Sequence, residues 1–235
     1  MWRMLQPATV PFREMLSVPV LTRAVLWDLD GTLVDSADYH WRSWRETMAA
    51  ENIQLTYEQF LRSFGQKNDR ILRGWLGDDT PADHIQRIGD AKEAEYRRLA
   101  LEEGLAALPG AAEWVARLHG DGWRQAIASS APRANVDVML GVLGLERYFD
   151  AIVSAEDVTA GKPDPQVFLK AADRLGVAPA LCIVVEDATA GIDAARRAGM
   201  RTIGVSRTER LDADVFVKSL ADLTEDTFER LTAAD

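Results

Sequence analysis

The stretch Ala24-Val25-Leu26-Trp27-Asp28-Leu29-Asp30-Gly31-Thr32 constrains this chain more than any other. A short apolar run without polar alternation reads as a strand buried on both faces, the kind found inside a helix-covered parallel sheet. The run ends on two aspartates one residue apart, with Gly-Thr directly after them. In an open α/β sheet the carboxyl ends of the strands border the ligand crevice, so Asp28 and Asp30 are expected to face it. A period of two along a strand points both side chains the same way. Carboxylates that close repel unless a cation lies between them or one holds a proton. A divalent cation such as Mg2+ suits an all-oxygen site of this kind. Asp28 can then attack an electrophile, Asp30 can move a proton, and Gly31 lets the backbone come close to a ligand. A strand followed by a solvated Asp-Gly turn is the plain alternative.

The rest of the chain supplies a context for those acids. Trp41, Trp44 and Met48 stand at helical spacing after Ser36, which with Asp35 is a candidate cap. Helical patterns continue through Phe60, Leu61, Ile71, Leu72, Trp75, Ile85, Ile88, Tyr96 and Leu99 until the turn signal Leu108-Pro109-Gly110. Beyond it, short apolar strands (Arg124–Ser129, Ala151–Ser154, Cys182–Glu186, Arg201–Val205 and a weaker Val215–Val217) alternate with helices at Ala112–His119, Arg133–Leu143, Gln166–Leu175, Ala190–Ala198 and Glu225–Leu231. The expected fold is therefore α/β, a doubly wound, Rossmann-like parallel sheet with an all-helical insert. The division is an extension at 1–23, a core made of 24–35 and 109–235, and an insert at 36–108. Pro7, Pro11 and Pro19 break up the extension, leave no signal-peptide core, and make Met15 a candidate start.

Composition excludes several classes. A net charge of -10 without a basic run argues against nucleic-acid binding. No apolar run approaches the roughly 18 residues a membrane span needs. The single cysteine, Cys182, heads an apolar strand, rules out an internal disulfide and fits a reducing, cytoplasmic setting.

Three later stretches repeat the geometry of the first, each polar and each at the carboxyl end of an expected strand. In Ser129-Ser130-Ala131-Pro132, hydroxyls and backbone N–H groups would converge at a helix start, which favours an anion. In Gly161-Lys162-Pro163-Asp164-Pro165, the prolines stiffen a loop whose ammonium can neutralise a phosphoryl oxygen. In Glu186-Asp187, two acids follow a strand directly and can add metal ligands. Singly, each has an ordinary explanation: a serine cap, a surface lysine, an aspartate cap. Together they place a carboxylate pair, a hydroxyl, a lysine and a second carboxylate pair at one sheet edge.

Asp28-Leu29-Asp30-Gly31-Thr32, Ser129, Gly161-Lys162-Pro163 and Glu186-Asp187 resemble, in chain order, the four motifs of the haloacid dehalogenase superfamily. The helical insert is similar to its C1 cap. Asp35-Ser36-Ala37-Asp38-Tyr39-His40 and Ala188-Thr189-Ala190-Gly191 resemble the branch of beta-phosphoglucomutases and small-molecule phosphatases. The resemblance implies that Asp28 takes the phosphoryl group as an aspartyl phosphate and that Asp30 protonates the leaving alkoxide and then activates water. It implies that Thr32, Ser129 and Lys162 hold the phosphoryl group. Mg2+ would sit on the Asp28 carboxylate, the Asp30 carbonyl and Asp187, with Glu186 either a further ligand or a partner that supports one. Asp30 sets the chain apart from the dehalogenase branch, which lacks that acid, and from transport ATPases, which carry lysine there. Response-regulator receivers resemble the site with their phosphoaccepting aspartate on a later strand.

Specificity is expected from the insert. His40 matches the histidine that supports the acid/base aspartate in the mutase, or else is a helix histidine packed near Trp44. The loop Phe64-Gly65-Gln66-Lys67-Asn68 lies where the mutase grips a second phosphate with an arginine, and here Lys67 and Asn68 stand there, with Asn68 expected to cap the next helix. Ser130-Ala131-Pro132-Arg133 likewise departs from the mutase loop. The expectation is a phosphatase for a small phosphorylated metabolite of the sugar, polyol or phosphoglycolate type, monomeric or weakly dimeric, with beta-phosphoglucomutase as the alternative.

Overall fold

The computed structural model describes residues 22–63 and 66–233. The expected extension at 1–23, except for Thr22 and Arg23, and the candidate start at Met15 lie outside the described residues, as do Phe64 and Gly65.

Six parallel strands form one sheet: β1 (Ala24–Trp27), β2 (Arg124–Ala128), β3 (Ala151–Val153), β4 (Cys182–Glu186), β5 (Arg201–Val205) and β6 (Val215–Val217), in the order β3-β2-β1-β4-β5-β6. β1 lies in the middle, between β2 and β4, because it is apolar on both faces. All four of its residues are fully buried. Val25 and Trp27 join one apolar layer with Ile183 and Val185, while Ala24 and Leu26 join the opposite layer with Cys182 and Val184. Trp27 pairs in register with Ile127 and Val185, so the chain leaves β1, β2 and β4 side by side at one edge. The strand order reverses at β1, and the crevice at such a switch point is where an open α/β sheet takes its ligands.

Helices α1 (Ala37–Ala50), α2 (Tyr57–Ser63), α3 (Asn68–Leu76) and α4 (Ala82–Glu103) follow β1, with no strand among the described residues between them. Trp44, Met48, Phe60, Leu72 and Ile88 close an apolar cluster of their own, with Trp41 and Trp75 partly buried against it. The 22-residue α4 runs on from that cluster, and its Tyr96 packs into the core beside the sheet. The remaining helices are α5 (Ala111–Gly120), α6 (Arg133–Leu143), α7 (Gln166–Leu175), α8 (Thr189–Arg197) and α9 (Thr227–Ala233).

Several local expectations are corrected. Ser36 stands at the start of α1 but makes no capping bond, because its hydroxyl goes to Asp30. Asn68 is the first residue of α3 and not its cap, a position held by Lys67. The cap of α8 is Ala188, so Asp187 is not occupied in capping.

Candidate active site

β1 ends at Trp27, and the chain turns at once: the amides of Thr32, Leu33 and Val34 all donate to the Leu29 carbonyl. The period of two therefore does not carry through, and the expectation that Asp28 and Asp30 share a cation between parallel side chains is corrected. The Asp28 amide continues the ladder by donating to the Val185 carbonyl at 3.0 Å, and the Asp28 carboxylate meets groups at the end of β4. There Asp28 Oδ1 accepts from Lys162 Nζ at 2.5 Å, and Lys162 also donates to Glu186 Oε2 at 2.7 Å. The Asp30 carboxylate turns the other way and accepts from Ser36 at 2.5 Å, with His40 Nε2 at 3.0 Å. Both aspartates still line one cavity of about 540 Å3.

Asp28, Glu186 and Asp187 have carboxylate oxygens within 4.8 Å of one another. The cationic group bonded among them is Lys162, with a side chain only 9% exposed, so the surface-lysine alternative is excluded. Burial works against the charge on Lys162, but Asp28 and Glu186 outweigh it and hold the ammonium above its usual range. Three carboxylates against one ammonium leave an excess of negative charge. Burial first, then Glu186, pushes Asp28 up to about 7 despite Lys162. Burial first, then Asp28 and Glu186, pushes Asp187 up to about 9. An all-oxygen cluster with surplus negative charge fits a hard divalent cation.

Two glycines shape the cluster. A Cβ at Gly31, whose φ is +82°, would collide with the Asp187 carboxylate, and one at Gly191 would collide with that of Glu186. Both acids thus lie flat against backbone, as close approach at glycine permits.

A stability prediction follows for the protein without metal. Its folded state keeps protons on Asp28 and Asp187 that the unfolded chain gives up near the ordinary value of 3.8. Stability must then fall as pH rises from about 4 toward 7 for Asp28 and toward 9 for Asp187. A divalent cation held by these carboxylates would displace those protons, so added Mg2+ should flatten the slope. Urea midpoints from about pH 6 to 9, above the window in which the lowered Asp30 and Glu93 add stability as pH rises, check this with EDTA or with Mg2+. A midpoint rising with pH in EDTA would contradict it.

The Asp30 half is wired separately. Burial opposes its charge, but His40, Ser36 and Lys92 together hold it below the ordinary carboxylate range. His40 stacks on the Tyr96 ring, centroids 4.2 Å apart. Lys92 Nζ lies 2.8 Å from His40 Nδ1. With Lys92 as donor, His40 presents N–H from Nε2 to Asp30. Lys92 and its neighbour Glu93 are buried charges that the motifs do not mark. The pattern held a signal for Lys92, which stands in the stripe Ile85, Ile88, Tyr96, Leu99 where an apolar residue belongs.

The other expected residues divide. Ser129 is buried and lines the cavity beside the half-buried Ser130, and its Oγ accepts from the Ala131 amide at 3.0 Å. Lys67 and Asn68 line the cavity from the insert side, and Lys67 passes over Gly161 of the Lys162 loop. Asn68 is committed to Glu93, with its Nδ2 2.6 Å from Oε1. Thr32 is corrected: it is fully buried, does not line the cavity, and its Oγ1 has no partner. The tight turn after Asp30 carries it behind the strand end. Trp44, Phe60 and Ile71 give the insert side an apolar wall.

Comparison with known proteins places this geometry. Residues 22–199 match the haloacid dehalogenase-like hydrolases. The chain is 34% identical over 213 residues to beta-phosphoglucomutase of Bacillus subtilis, covering 86% of this chain and 92% of that one. It is 32% identical over 222 residues to hexitol phosphatase B of Escherichia coli, covering 94% and 99%. The crystal structure of beta-phosphoglucomutase from Clostridium difficile superposes with a TM-score of 0.81 at 29% identity, covering 91% of this chain and 98% of that one.

Proposed function

The chain belongs to the haloacid dehalogenase-like hydrolases, and from that premise we propose that it is a Mg2+-dependent phosphatase for a small phosphorylated sugar or polyol, working through an aspartyl phosphate. The observation that carries this reading is the division of labour between the two aspartates: Asp28 sits among charges suited to phosphoryl transfer, while Asp30 sits on a hydrogen-bonded histidine.

Asp28 attacks phosphorus in line, the P–O bond to the leaving group breaks, and Asp30 protonates the departing alkoxide. Asp30 then takes a proton from the water that hydrolyses the aspartyl phosphate, returning Asp28 and releasing inorganic phosphate. The low proton affinity of Asp30 in the free protein suits this base step. For the acid step, the dianionic phosphoryl group entering beside Asp30 raises that affinity. Lys162 and Ser129 hold the phosphoryl oxygens, and positioning with charge neutralisation supplies most of the rate. Asp28, Asp187 and Glu186 would hold Mg2+, which keeps Asp28 ionised and offsets charge on the phosphoryl group. The helical insert acts as a cap that excludes water and reads the leaving group.

Hydrolysis is favoured over mutase activity by the groups facing a second phosphate. Asn68 is tied to Glu93, and the Arg133 side chain bonds Asp137 at 2.7 Å on the exposed side of α6. The mutase reading is supported by Lys67, a cation lining the cavity from the insert, and by the likeness to beta-phosphoglucomutases.

A phosphate-release screen with Mg2+ over hexitol phosphates, fructose 1-phosphate and phosphoglycolate tests the proposal. It runs beside beta-glucose 1-phosphate with a trace of the 1,6-bisphosphate. Phosphate release abolished by EDTA is expected. Glucose 6-phosphate formed without net phosphate would establish the mutase instead.

A further inference from the structure

Above the cavity floor lies a buried charge to which the phosphoryl-transfer chemistry gives no role. Glu93 of α4 is 7% exposed, and its carboxylate takes donors from three helices. These are Asn68 Nδ2 of α3 at 2.6 Å, Lys92 Nζ of α4 at 2.9 Å, and Asn135 Nδ2 of α6. Asn135 is fully buried, and its Oδ1 accepts from Arg97 of α4 at 2.8 Å, so both ends of its amide are bound to α4. The two asparagines each adjoin a different part of the cavity lining. Asn68 directly follows Lys67 on the insert wall, and Asn135 lies in the first turn of α6, just past the Ser129–Ser130 loop.

We propose that Glu93 is a positioning residue that holds Lys67 of the insert and the Ser129–Ser130 loop of the sheet in one frame, by gathering Asn68 and Asn135 on a single carboxylate. Charge-assisted bonds in a buried site are strong and mutually dependent. Losing the shared acceptor strands two amides and an ammonium together, so the two substrate-facing loops come loose together. Burial opposes the charge on Glu93, but Lys92, His40 and Asn68 hold it ionised, as the role requires. Lys92 serves Glu93 and His40 at once, which adds the acid/base aspartate to the same frame.

The inference rests on the phosphatase reading only for its kinetic arm. In that arm Glu93→Gln, which keeps the shape and removes the charge, is assayed with p-nitrophenyl phosphate. The value of kcat/KM should fall by about 10²-fold, carried mainly by KM, as for misplaced binding groups. Asn68→Ala placed on top of Glu93→Gln should cost less than about twofold more, because a glutamine offers one acceptor oxygen in place of two and no longer joins both asparagines. The second arm is amide hydrogen exchange of the full chain, which needs no activity. Residues 66–71 and 130–136 should both exchange faster in Glu93→Gln, with α9 unchanged. Glu93→Asp keeps the charge beside Lys92 but is too short to span both asparagines. It should give the same two-segment signature, and it serves if the glutamine variant does not fold. Unchanged exchange in either segment overturns the proposal, as do losses that multiply in the double variant. So does a changed substrate preference with unchanged exchange, which would make Glu93 a substrate contact. A wild-type chain without phosphatase activity would defeat the function reading and leave the exchange result standing.

Discussion

Asp28→Asn will abolish turnover while leaving the fold intact. The substitution keeps the size of a residue that is 7% exposed and, on the proposed mechanism, replaces the attacking oxygen with an amide that cannot form the phosphoenzyme. It also lowers the negative charge of a cluster in which Asp28 and Glu186 share Lys162 and Asp187 lies close by, so folding should be unharmed or improved without metal. A loss of at least about 10⁴-fold in kcat, worth roughly 5.5 kcal/mol of barrier, is expected. On the same mechanism Asp30→Asn removes the proton carrier and should cost about 10²–10⁴-fold, with any phosphoenzyme that forms accumulating. Phosphate release and acid-quenched labelling of the protein check both. Activity retained by Asp28→Asn would end the nucleophile assignment.

The second large effect is expected at Lys162. Lys162→Met keeps an unbranched chain and strands Asp28 and Glu186 without their shared cation. Removing one partner of a buried ionic cluster costs about 3–5 kcal/mol of stability. Here the penalty must shrink as pH falls toward 4, because protonated carboxylates no longer repel. The activity should drop by about 10²–10³-fold in kcat, the scale for losing one aimed electrostatic contact to the transferring group. Urea midpoints at pH 5 and pH 8 in EDTA, with kinetics at saturating Mg2+, separate the two effects. A variant as stable as the parent at pH 8 would show that Lys162 does not offset the acids.

Sequence reading reached the sheet because β1 and β4 are apolar on both faces and the helical patterns between strands are strong. A helix boundary depends on finer matters. Ser36 and Asn68 look like caps in sequence, yet each has a stronger claimant in space: Asp30 for the serine hydroxyl and Glu93 for the asparagine amide. Thr32 belongs to a motif by adjacency, but a tight turn removes it from the cavity. Lys92 broke an apolar stripe and was legible in principle, whereas Glu93 and Asn135, 42 residues apart, became partners only when α4 packed on α6.

By itself the sequence determined which groups stand at the sheet edge: strand periodicity puts Asp28, Ser129 and Glu186 at or just beyond the ends of neighbouring strands, and short loops bring Lys162 and Asp187 beside them. Only the tertiary structure decided how those groups are paired. Asp28 went to Lys162 and Asp30 to His40, because the chain turns after Trp27 and because α1 and α4 bring His40 and Lys92 to Asp30 while the loop before α7 brings Lys162 to Asp28. Local order along a chain is set by backbone sterics and side-chain periodicity, which are written residue by residue. Charge pairing depends on distances of a few ångströms between segments remote in sequence, and those exist only once the core has closed.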